Sequence, residues 1–293
     1  MFFKKAKSLV PTKSTVLVPL YIYPSPGAWD RLLQSISTYP EVEFIIVVNP
    51  HNGPGKSLDS NYKREIRKLN LYPNVAVVGY VSTAYANRQY SSILEDVMIY
   101  AGWRHEDDGL GVRGIFFDET PNKWTTSNAS FLENINTAVK GRSGLGAEPL
   151  IIHNPGTIPD WRLMSGFCLP DITVVFEATY HTFHENGCEN ALAKLNMDRG
   201  RLACLMHSVP DSLMTTYSDV TSELQKLKPL VGTFFITSQA TALYTSLGDH
   251  WEHVGIVLVS TFRAPLSCFE TGFCGSIEGL LEPVILLLAF LPR

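Results

Sequence analysis

At residues 114–122 the chain reads Gly114-Ile-Phe-Phe-Asp118-Glu119-Thr-Pro-Asn122, an apolar run that stops at two adjacent carboxylates. A short, wholly apolar run bounded by turn signals predicts a strand buried on both faces, as in parallel sheets. A second run of the same design ends at Glu177. Barrels of parallel strands build active sites at the carboxyl ends of their strands. The three carboxyls therefore predict acid/base or nucleophilic chemistry, with cleavage of a glycosidic bond as the first candidate.

Working outward from this run, eight strand-like segments follow one another along the chain. They are Val16–Tyr23, Phe44–Asn49, Val75–Val81, Gly114–Asp118, Leu150–His153, Ile172–Glu177, Arg201–His207 and Gly232–Thr237. Helical periodicity between them predicts helices that include Trp29–Tyr39, Ser91–Trp103, Asn128–Val139 and Ser212–Leu227. Eight strand–helix units over about 240 residues predict an α/β fold, a single-domain (β/α)8 barrel of the TIM type.

The alternative α/β arrangement is a doubly wound open sheet. Sheets of that kind that bind dinucleotides carry a GxGxxG motif after the first strand. In this chain the corresponding residues are Pro24-Ser-Pro26-Gly27. The barrel is therefore the preferred prediction.

The two ends of the chain differ in character from the segment between them. We expect an N-terminal extension at 1–15, the barrel at 16–254, and an atypical tail at 255–293 such as a gene-model artefact would produce. The apolar run near the end, between Pro283 and Pro292, is too short to span a bilayer as a helix. The first residues carry charge without an apolar segment of signal-peptide length before Pro11, so no secretion signal is predicted.

The composition excludes several classes of partner and cofactor. A net charge of −4 argues against a nucleic-acid partner, which would usually require a basic surface. The cluster of His181, His184 and Cys188 lies in a predicted loop and has neither HExxH nor CxxC spacing, so no metal is expected. The loops after the seventh and eighth strands are not rich in glycine, which disfavours a phosphate substrate. We expect no cofactor and no transmembrane span, and a monomer is the simplest expectation for the oligomeric state.

The predicted barrel places Asp118 and Glu177 at the ends of strands four and six. These strands are two neighbours apart, so the carboxyls should approach to the separation used in glycosidic cleavage. Asp118 and Glu119 should point to opposite sides of the strand unless a bulge at Pro121 redirects them. The alternative is a helix cap and an exposed rim residue, but acids that end buried strands are costly without partners. Which carboxyl donates the proton, and whether the reaction retains or inverts configuration, is left open by the sequence.

Polar and aromatic residues occupy the other strand ends. Aromatic faces beside hydrogen-bonding groups suit sugar rings, which have apolar faces and hydroxyl edges. Any one of these side chains alone is more often a packed core residue, and only their common location favours binding. The candidate substrate-binding residues are Tyr21, Asn49, Tyr80, Tyr85, His153, Asn154 and His207.

Four motifs together carry a resemblance to a known family. They are Val16-Leu-Val-Pro-Leu-Tyr21-Ile-Tyr23-Pro-Ser-Pro-Gly27-Ala-Trp29, Ile46-Val-Val-Asn49-Pro-His-Asn-Gly-Pro-Gly55, Gly79-Tyr80-Val-Ser-Thr-Ala-Tyr85 and Phe116-Phe-Asp118-Glu119. Over about residues 16–254 the chain resembles the spherulation-specific (spherulin-4-like) family, which is similar to glycoside hydrolase family 135, a group of fungal and slime-mould (β/α)8 barrels.

The resemblance implies a substrate and a site. Enzymes of this group cleave α-1,4-linked N-acetylgalactosamine stretches of galactosaminogalactan, a cell-wall and biofilm polysaccharide. By motif, their essential acids fall on Asp118, Glu119 and Glu177. Family members are typically secreted, which implies an extracellular or cell-wall location. Two alternatives stand beside this hydrolase: a non-catalytic carbohydrate-binding or spore-wall structural protein on the same barrel, and a metal-dependent barrel enzyme, which the missing ligand pattern disfavours.

Overall fold

A computed structural model of the chain describes residues 15–251, and its centre is a closed barrel of eight parallel strands. The strands are β1 (Thr15–Leu20), β2 (Glu43–Val48), β3 (Val75–Ser82), β4 (Gly114–Asp118), β5 (Leu150–Asn154), β6 (Ile172–Thr179), β7 (Leu202–His207) and β8 (Thr233–Ile236). Each strand pairs with the next in the sequence, and β8 closes the ring on β1 with Thr15 opposite Thr233. The predicted (β/α)8 barrel and its eight strands are confirmed.

The strands are buried on both faces, as their apolar runs predict. In β4, Phe116 is 1% exposed and Phe117 is fully buried, although adjacent residues of a strand point to opposite faces. One face fills the barrel interior and the other packs against helices. The packing of helix on strand is close enough to require a glycine at Gly79, where an added Cβ would lie 2.6 Å from the ring of Tyr100.

Seven α-helices surround the barrel within residues 15–251. They are α1 (Asp30–Thr38), α2 (Ser60–Asn70), α3 (Tyr90–Glu106), α4 (Thr126–Lys140), α5 (Tyr180–Glu185), α6 (Cys188–Ala193) and α7 (Tyr217–Leu227). The helices predicted before β2, before β4 and after β4 are found within a few residues of their expected bounds. The helix predicted at Ser212–Leu227 begins later, at Tyr217, because the Thr216 hydroxyl caps it by accepting from the Asp219 backbone N–H.

The alternation of strands and helices is incomplete between β5 and β6. This connection contains only two short 3-10 turns, Trp161–Met164 and Gly166–Cys168. Three prolines and two glycines lie between Asn154 and Ile172, and both residue types oppose a continuous α-helix. The chain therefore crosses the outside of the barrel here in an irregular conformation.

The predicted extension at 1–15 and the predicted tail at 255–293 lie outside the described residues, apart from Thr15, which already belongs to β1. Within residues 15–251, no helix combines the length and the apolarity needed to cross a membrane.

Candidate active site

Two carboxyls meet at the mouth of the barrel, where the strands end. Asp118 closes β4, Asn154 closes β5, and Glu177 lies near the end of β6. The Asn154 side-chain nitrogen donates to Asp118 Oδ1 at 2.8 Å and to Glu177 Oε2 at 2.5 Å. Because both oxygens lie within one hydrogen bond of the same nitrogen, they are at most about 5 Å apart. The structure thus brings Asp118 and Glu177 together, as expected from their positions at the ends of the fourth and sixth strands.

An irregularity in β6 helps to aim Glu177. The pairing of β6 with β7 shifts register between Val174 and Phe176, immediately before this carboxyl. Bulges of this kind bend a strand and redirect the side chains that follow, and they are common beside active sites. The only bulge expected from the sequence was one at Pro121, for Asp118 and Glu119, so the register shift in β6 is a feature that the sequence did not indicate.

Two tyrosine hydroxyls complete the hydrogen bonding of the carboxyl pair. Tyr80 Oη donates to Asp118 Oδ2 at 2.9 Å, and Tyr244 Oη donates to Glu177 Oε1 at 2.7 Å. Each carboxyl is therefore held by the shared amide of Asn154 and by one phenol. We refer to these five residues, Tyr80, Asp118, Asn154, Glu177 and Tyr244, as the mouth network.

Tyr21 lies between the two phenols of the mouth network. Its ring meets that of Tyr80 edge-on with centroids 5.5 Å apart, and that of Tyr244 in the same way at 5.6 Å. Burial raises the pKa of all three tyrosines well above their usual value, and the negative charge of Asp118 or Glu177 adds to the effect. All three hydroxyls are therefore neutral hydrogen-bond donors over the physiological pH range.

The environment of Asp118 favours its protonated form. Burial raises the pKa of Asp118 to about 6, and the neighbouring charge of Glu177 acts in the same direction. The hydrogen bonds from Tyr80 and from the backbone N–H of Glu119 oppose this shift without cancelling it. Close to neutral pH the pair can therefore hold a proton as well as a charge, which is the state that acid/base catalysis requires.

Glu119 lies just beyond the end of β4 in a left-handed conformation, with φ of 54°. Its carboxylate accepts from the Ser82 hydroxyl at 2.6 Å, and its backbone oxygen accepts from the Tyr85 N–H, also at 2.6 Å. The left-handed turn, rather than simple strand alternation or a bulge at Pro121, sets its direction. Positive φ is strained for a residue with a side chain, and such strain tends to be concentrated at functional sites.

Tyr85 occupies the rim beside Glu119. Ala84, Tyr85 and Ala86 all have positive φ, although left-handed residues with side chains usually occur singly. The hydrogen bond from the Tyr85 N–H to Glu119 ties this turn to the end of β4. Tyr85 is 58% exposed, so its ring is presented to solvent at the barrel mouth.

His153 is the predicted site residue that the structure does not bring to the mouth. It is 3% exposed and faces α4, where its Nε2 donates to Asn136 Oδ1 at 2.8 Å. Burial lowers the pKa of His153 to about 3, so the imidazole is neutral. Since neighbouring residues of a strand face opposite sides, the inward direction of Asn154 requires the outward direction of His153.

The two remaining predicted residues lie at strand ends with local partners. The Asn49 side-chain oxygen accepts from the Gly53 N–H at 2.8 Å, so this residue shapes the loop after β2. That loop and the beginning of α3 enclose a separate hollow of about 610 Å³. His207 ends β7, and its Nδ1 contacts the Ser208 hydroxyl at 3.0 Å. Burial lowers the pKa of His207, and the charge of Glu177 opposes the shift.

Tyr244 is a member of the mouth network that the sequence did not indicate. It follows β8 in an irregular segment, has φ of 68°, and accepts from the Tyr21 N–H through its backbone oxygen at 3.0 Å. No strand ends at Tyr244, so the reasoning from strand ends could not find it. Among residues 15–251, no group of three or more histidine, cysteine, aspartate or glutamate side chains is placed to hold a metal ion.

Comparisons with known proteins give three findings. Residues 15–257 match the model of spherulation-specific family 4. Spherulin-4 of Physarum polycephalum is 36% identical over 146 residues, which is 50% of this chain and 40% of that protein, so the match spans less than half of the relative. The crystal structure of Aspergillus clavatus Sph3 in complex with GalNAc is similar with a TM-score of 0.80 and 42% identity, covering 84% of this chain and 97% of that one.

Proposed function

The chain belongs to spherulation-specific family 4, and from this membership and its paired carboxyls we propose that it is a glycoside hydrolase. The proposed substrate is an α-1,4-linked N-acetylgalactosamine stretch of a galactosaminogalactan-like polysaccharide of cell walls or biofilms. The similar structure of Sph3, which was solved with GalNAc, supports an N-acetylated amino sugar as the substrate unit. The same family membership supports an extracellular or cell-wall location.

One observation carries the proposal: a single amide, Asn154, donates to both Asp118 and Glu177. Carboxyl oxygens no more than about 5 Å apart favour a retaining mechanism, because inverting glycosidases keep their carboxyls farther apart to admit a water molecule. The raised pKa of Asp118, about 6, supplies a carboxyl that can hold a proton near neutral pH.

These features support a two-step reaction. The ionised member of the pair attacks the anomeric carbon while the protonated member gives its proton to the departing glycosidic oxygen. Water then attacks the anomeric carbon and releases the glycosyl group from the enzyme. The proton of this water goes to the carboxyl that acted as the acid in the first step. The neutral hydroxyl of Tyr21 lies between the phenols that contact the two acids, where it can donate to a sugar oxygen. Glu119, fixed by Ser82, borders the same space.

The proposal is tested by incubating the purified protein with galactosaminogalactan and identifying released oligosaccharides by mass spectrometry. Proton NMR of the first products then reports the anomeric configuration, which we expect to be retained. Binding of the polysaccharide without any release of oligosaccharides would instead support a carbohydrate-binding wall protein. Products of inverted configuration would contradict the two-step reaction while leaving the hydrolase in place.

A further inference from the structure

Exposed aromatic side chains are gathered at the mouth end of the barrel. Of the eight large hydrophobic side chains that are exposed within the described residues, six are aromatic, and five of these lie within about eight residues of the end of the preceding strand. These five are Tyr23, Tyr85, Tyr90, Trp124 and Trp161. The mouth network lies at the same end of the barrel, where β4, β5 and β6 end.

Two tryptophans of this group lie on loops that are joined to each other. Trp124 follows β4 and Trp161 follows β5. The Asp160 backbone N–H donates to the Asn122 oxygen at 2.9 Å, which ties the two loops together. The Arg162 guanidinium then lies over the Trp124 ring, 4.2 Å from its centroid. We call Trp124, Trp161 and Arg162 the aromatic shelf.

The shelf is held rigidly and its charges are compensated. Arg162 donates to both oxygens of the Asp160 carboxylate, at 2.9 and 2.6 Å, and these bonds lower the pKa of Asp160 to about 2. A paired guanidinium beside the rings leaves no excess negative charge to attract an ammonium group. The shelf therefore suits a neutral ring better than a cationic one.

The exposure of Trp161 points to a ligand with an apolar face. Its side chain is 71% exposed on a segment whose position is set by the Asp160 hydrogen bonds. A single exposed apolar side chain is ordinary in proteins. Trp161 differs because its loop is tied to the loop that carries a second exposed tryptophan, Trp124. Pyranose rings offer the apolar face that stacks on such a surface and the hydroxyl edge that remains in water.

We propose that the aromatic shelf is a distal subsite for a neutral, N-acetylated sugar ring of the polysaccharide, separate from the ring that undergoes cleavage. The inference rests on the proposed function. The loops that carry Trp124 and Trp161 leave the strands that supply Asp118 and Asn154, so they begin at the same end of the barrel as the carboxyl pair. A chain seated on the carboxyl pair would extend over this edge of the mouth. Oligosaccharides long enough to reach the shelf would use it, and shorter ones would not.

The test measures binding rather than turnover. In the full chain carrying Asp118→Asn and Glu177→Gln, calorimetry compares α-1,4-linked N-acetylgalactosamine oligosaccharides of short and long chain length. We expect Trp161→Ala to weaken the affinity for long chains about tenfold, as the loss of one stacking contact would. The affinity for short chains should not change. Trp161→Tyr keeps an aromatic ring and should retain most of the parent's affinity for long chains.

Phe167→Ala is the matched control. Phe167 is 83% exposed and belongs to the same β5–β6 connection as Trp161. Its backbone oxygen accepts from Asn136, which lies ten residues into α4 and thus about 15 Å along that helix from the mouth. We expect this variant to bind short and long chains like the parent.

The outcomes separate this proposal from the proposed function. An unchanged affinity for long chains in Trp161→Ala, or an equal loss for short and long chains, overturns the distal subsite. Retained hydrolysis by the parent would in that case leave the proposed function standing. Length-dependent binding through Trp161 in a parent that releases no oligosaccharides would uphold the shelf and refute the hydrolase.

Discussion

Two buried polar clusters lie on opposite faces of the same strand, β5, and they are built on different principles. His153 on the outer face and Asn154 on the inner face are each 3% exposed. The outer cluster buries no charge, because the pKa of His153 falls to about 3 and its neutral ring is satisfied by Asn136. The inner cluster places one amide between two carboxyls and raises the pKa of Asp118.

The comparison shows that burial and hydrogen bonding alone do not mark a functional residue. Both clusters are satisfied, as buried polar groups generally are. What distinguishes the mouth is that it holds like charges together, which lowers stability at neutral pH and serves no structural purpose. The following variants test this distinction, because the outer cluster should respond in stability and the inner one in activity.

The largest effect is expected from the carboxyl pair itself. Asp118→Asn and Glu177→Gln keep the size of each side chain but remove its titratable proton. Each should lower turnover of the polysaccharide roughly 10²–10⁴-fold, the usual contribution of acid/base catalysis. Initial rates of oligosaccharide release measure this, and circular dichroism confirms folding. Hydrolysis near the parent rate in both variants would remove these residues from the proposed roles.

Asp118→Asn should also make the protein more stable at neutral pH. The folded pKa of Asp118, about 6, lies above its ordinary value of 3.8, so the folded state binds the proton more tightly than the unfolded state. The free energy of unfolding of the parent therefore falls as pH rises between these values, and the variant escapes that loss. We expect a gain on the order of 1–3 kcal/mol above pH 6 and none below about pH 4. Urea unfolding at both pH values measures it, and an equal gain at both would contradict the assignment.

The outer cluster should show the reverse pattern. His153→Phe keeps an aromatic ring but leaves the buried Asn136 Oδ1 without its hydrogen-bond donor. The free energy of unfolding should fall by roughly 1–3 kcal/mol, the cost of one unsatisfied buried polar group. Turnover at a temperature well below the melting point should stay near that of the parent. A large loss of turnover in the folded variant would mean that His153 serves the site after all.

A smaller effect is expected at Tyr244. Tyr244→Phe removes one of the two hydrogen bonds to the Glu177 carboxylate and leaves the ring in contact with Tyr21. The Asn154 amide still donates to this carboxylate, but the carboxylate is less firmly oriented without the phenol. Turnover should therefore fall about tenfold with little change in KM, as expected for the loss of one hydrogen bond to a charged group. Tyr23→Phe, which alters an exposed tyrosine bonded to Asp59, is the control. A fall in the free energy of unfolding with unchanged turnover would indicate a structural role only.

The smallest effect is expected from the part of the predicted 255–293 tail that lies beyond the family match, which ends at residue 257. Both clusters lie within residues 15–257, which match the family. We expect deletion of residues 258–293 to leave turnover and the free energy of unfolding unchanged, because the contrast between the two clusters depends on the barrel alone. Kinetics and urea unfolding of the shortened chain measure this. A loss of folding would place part of the barrel domain beyond residue 257.

Much of the fold follows from local sequence. Apolar runs of strand length gave all eight strands, and the ends of the runs gave the meeting of Asp118 with Glu177. The absence of a helix between β5 and β6 could also have been predicted, because that segment contains three prolines and two glycines. The outward direction of His153 could have been predicted too, since adjacent residues of a strand point to opposite faces.

Other parts of the site depend on contacts between distant segments. Glu119 is redirected by a left-handed turn that Ser82 and Tyr85 support from the neighbouring strand end. Tyr244 reaches Glu177 from an irregular segment with no periodic signal. Neither feature is encoded in a pattern of neighbouring residues, so both become visible only in the folded barrel.

The position of Tyr244 has a consequence for how the protein folds during synthesis. Its backbone joins the segment after β8 to Tyr21, which follows β1, and these are the two strands whose pairing closes the ring. Contacts between such distant parts of the sequence form late, because the entropy of closing a long loop must be offset first. A nascent chain can thus form most of its strands before Glu177 receives its hydrogen bond from Tyr244. Recovery of activity on refolding would accordingly report ring closure, whereas recovery of secondary structure would report only the earlier local steps.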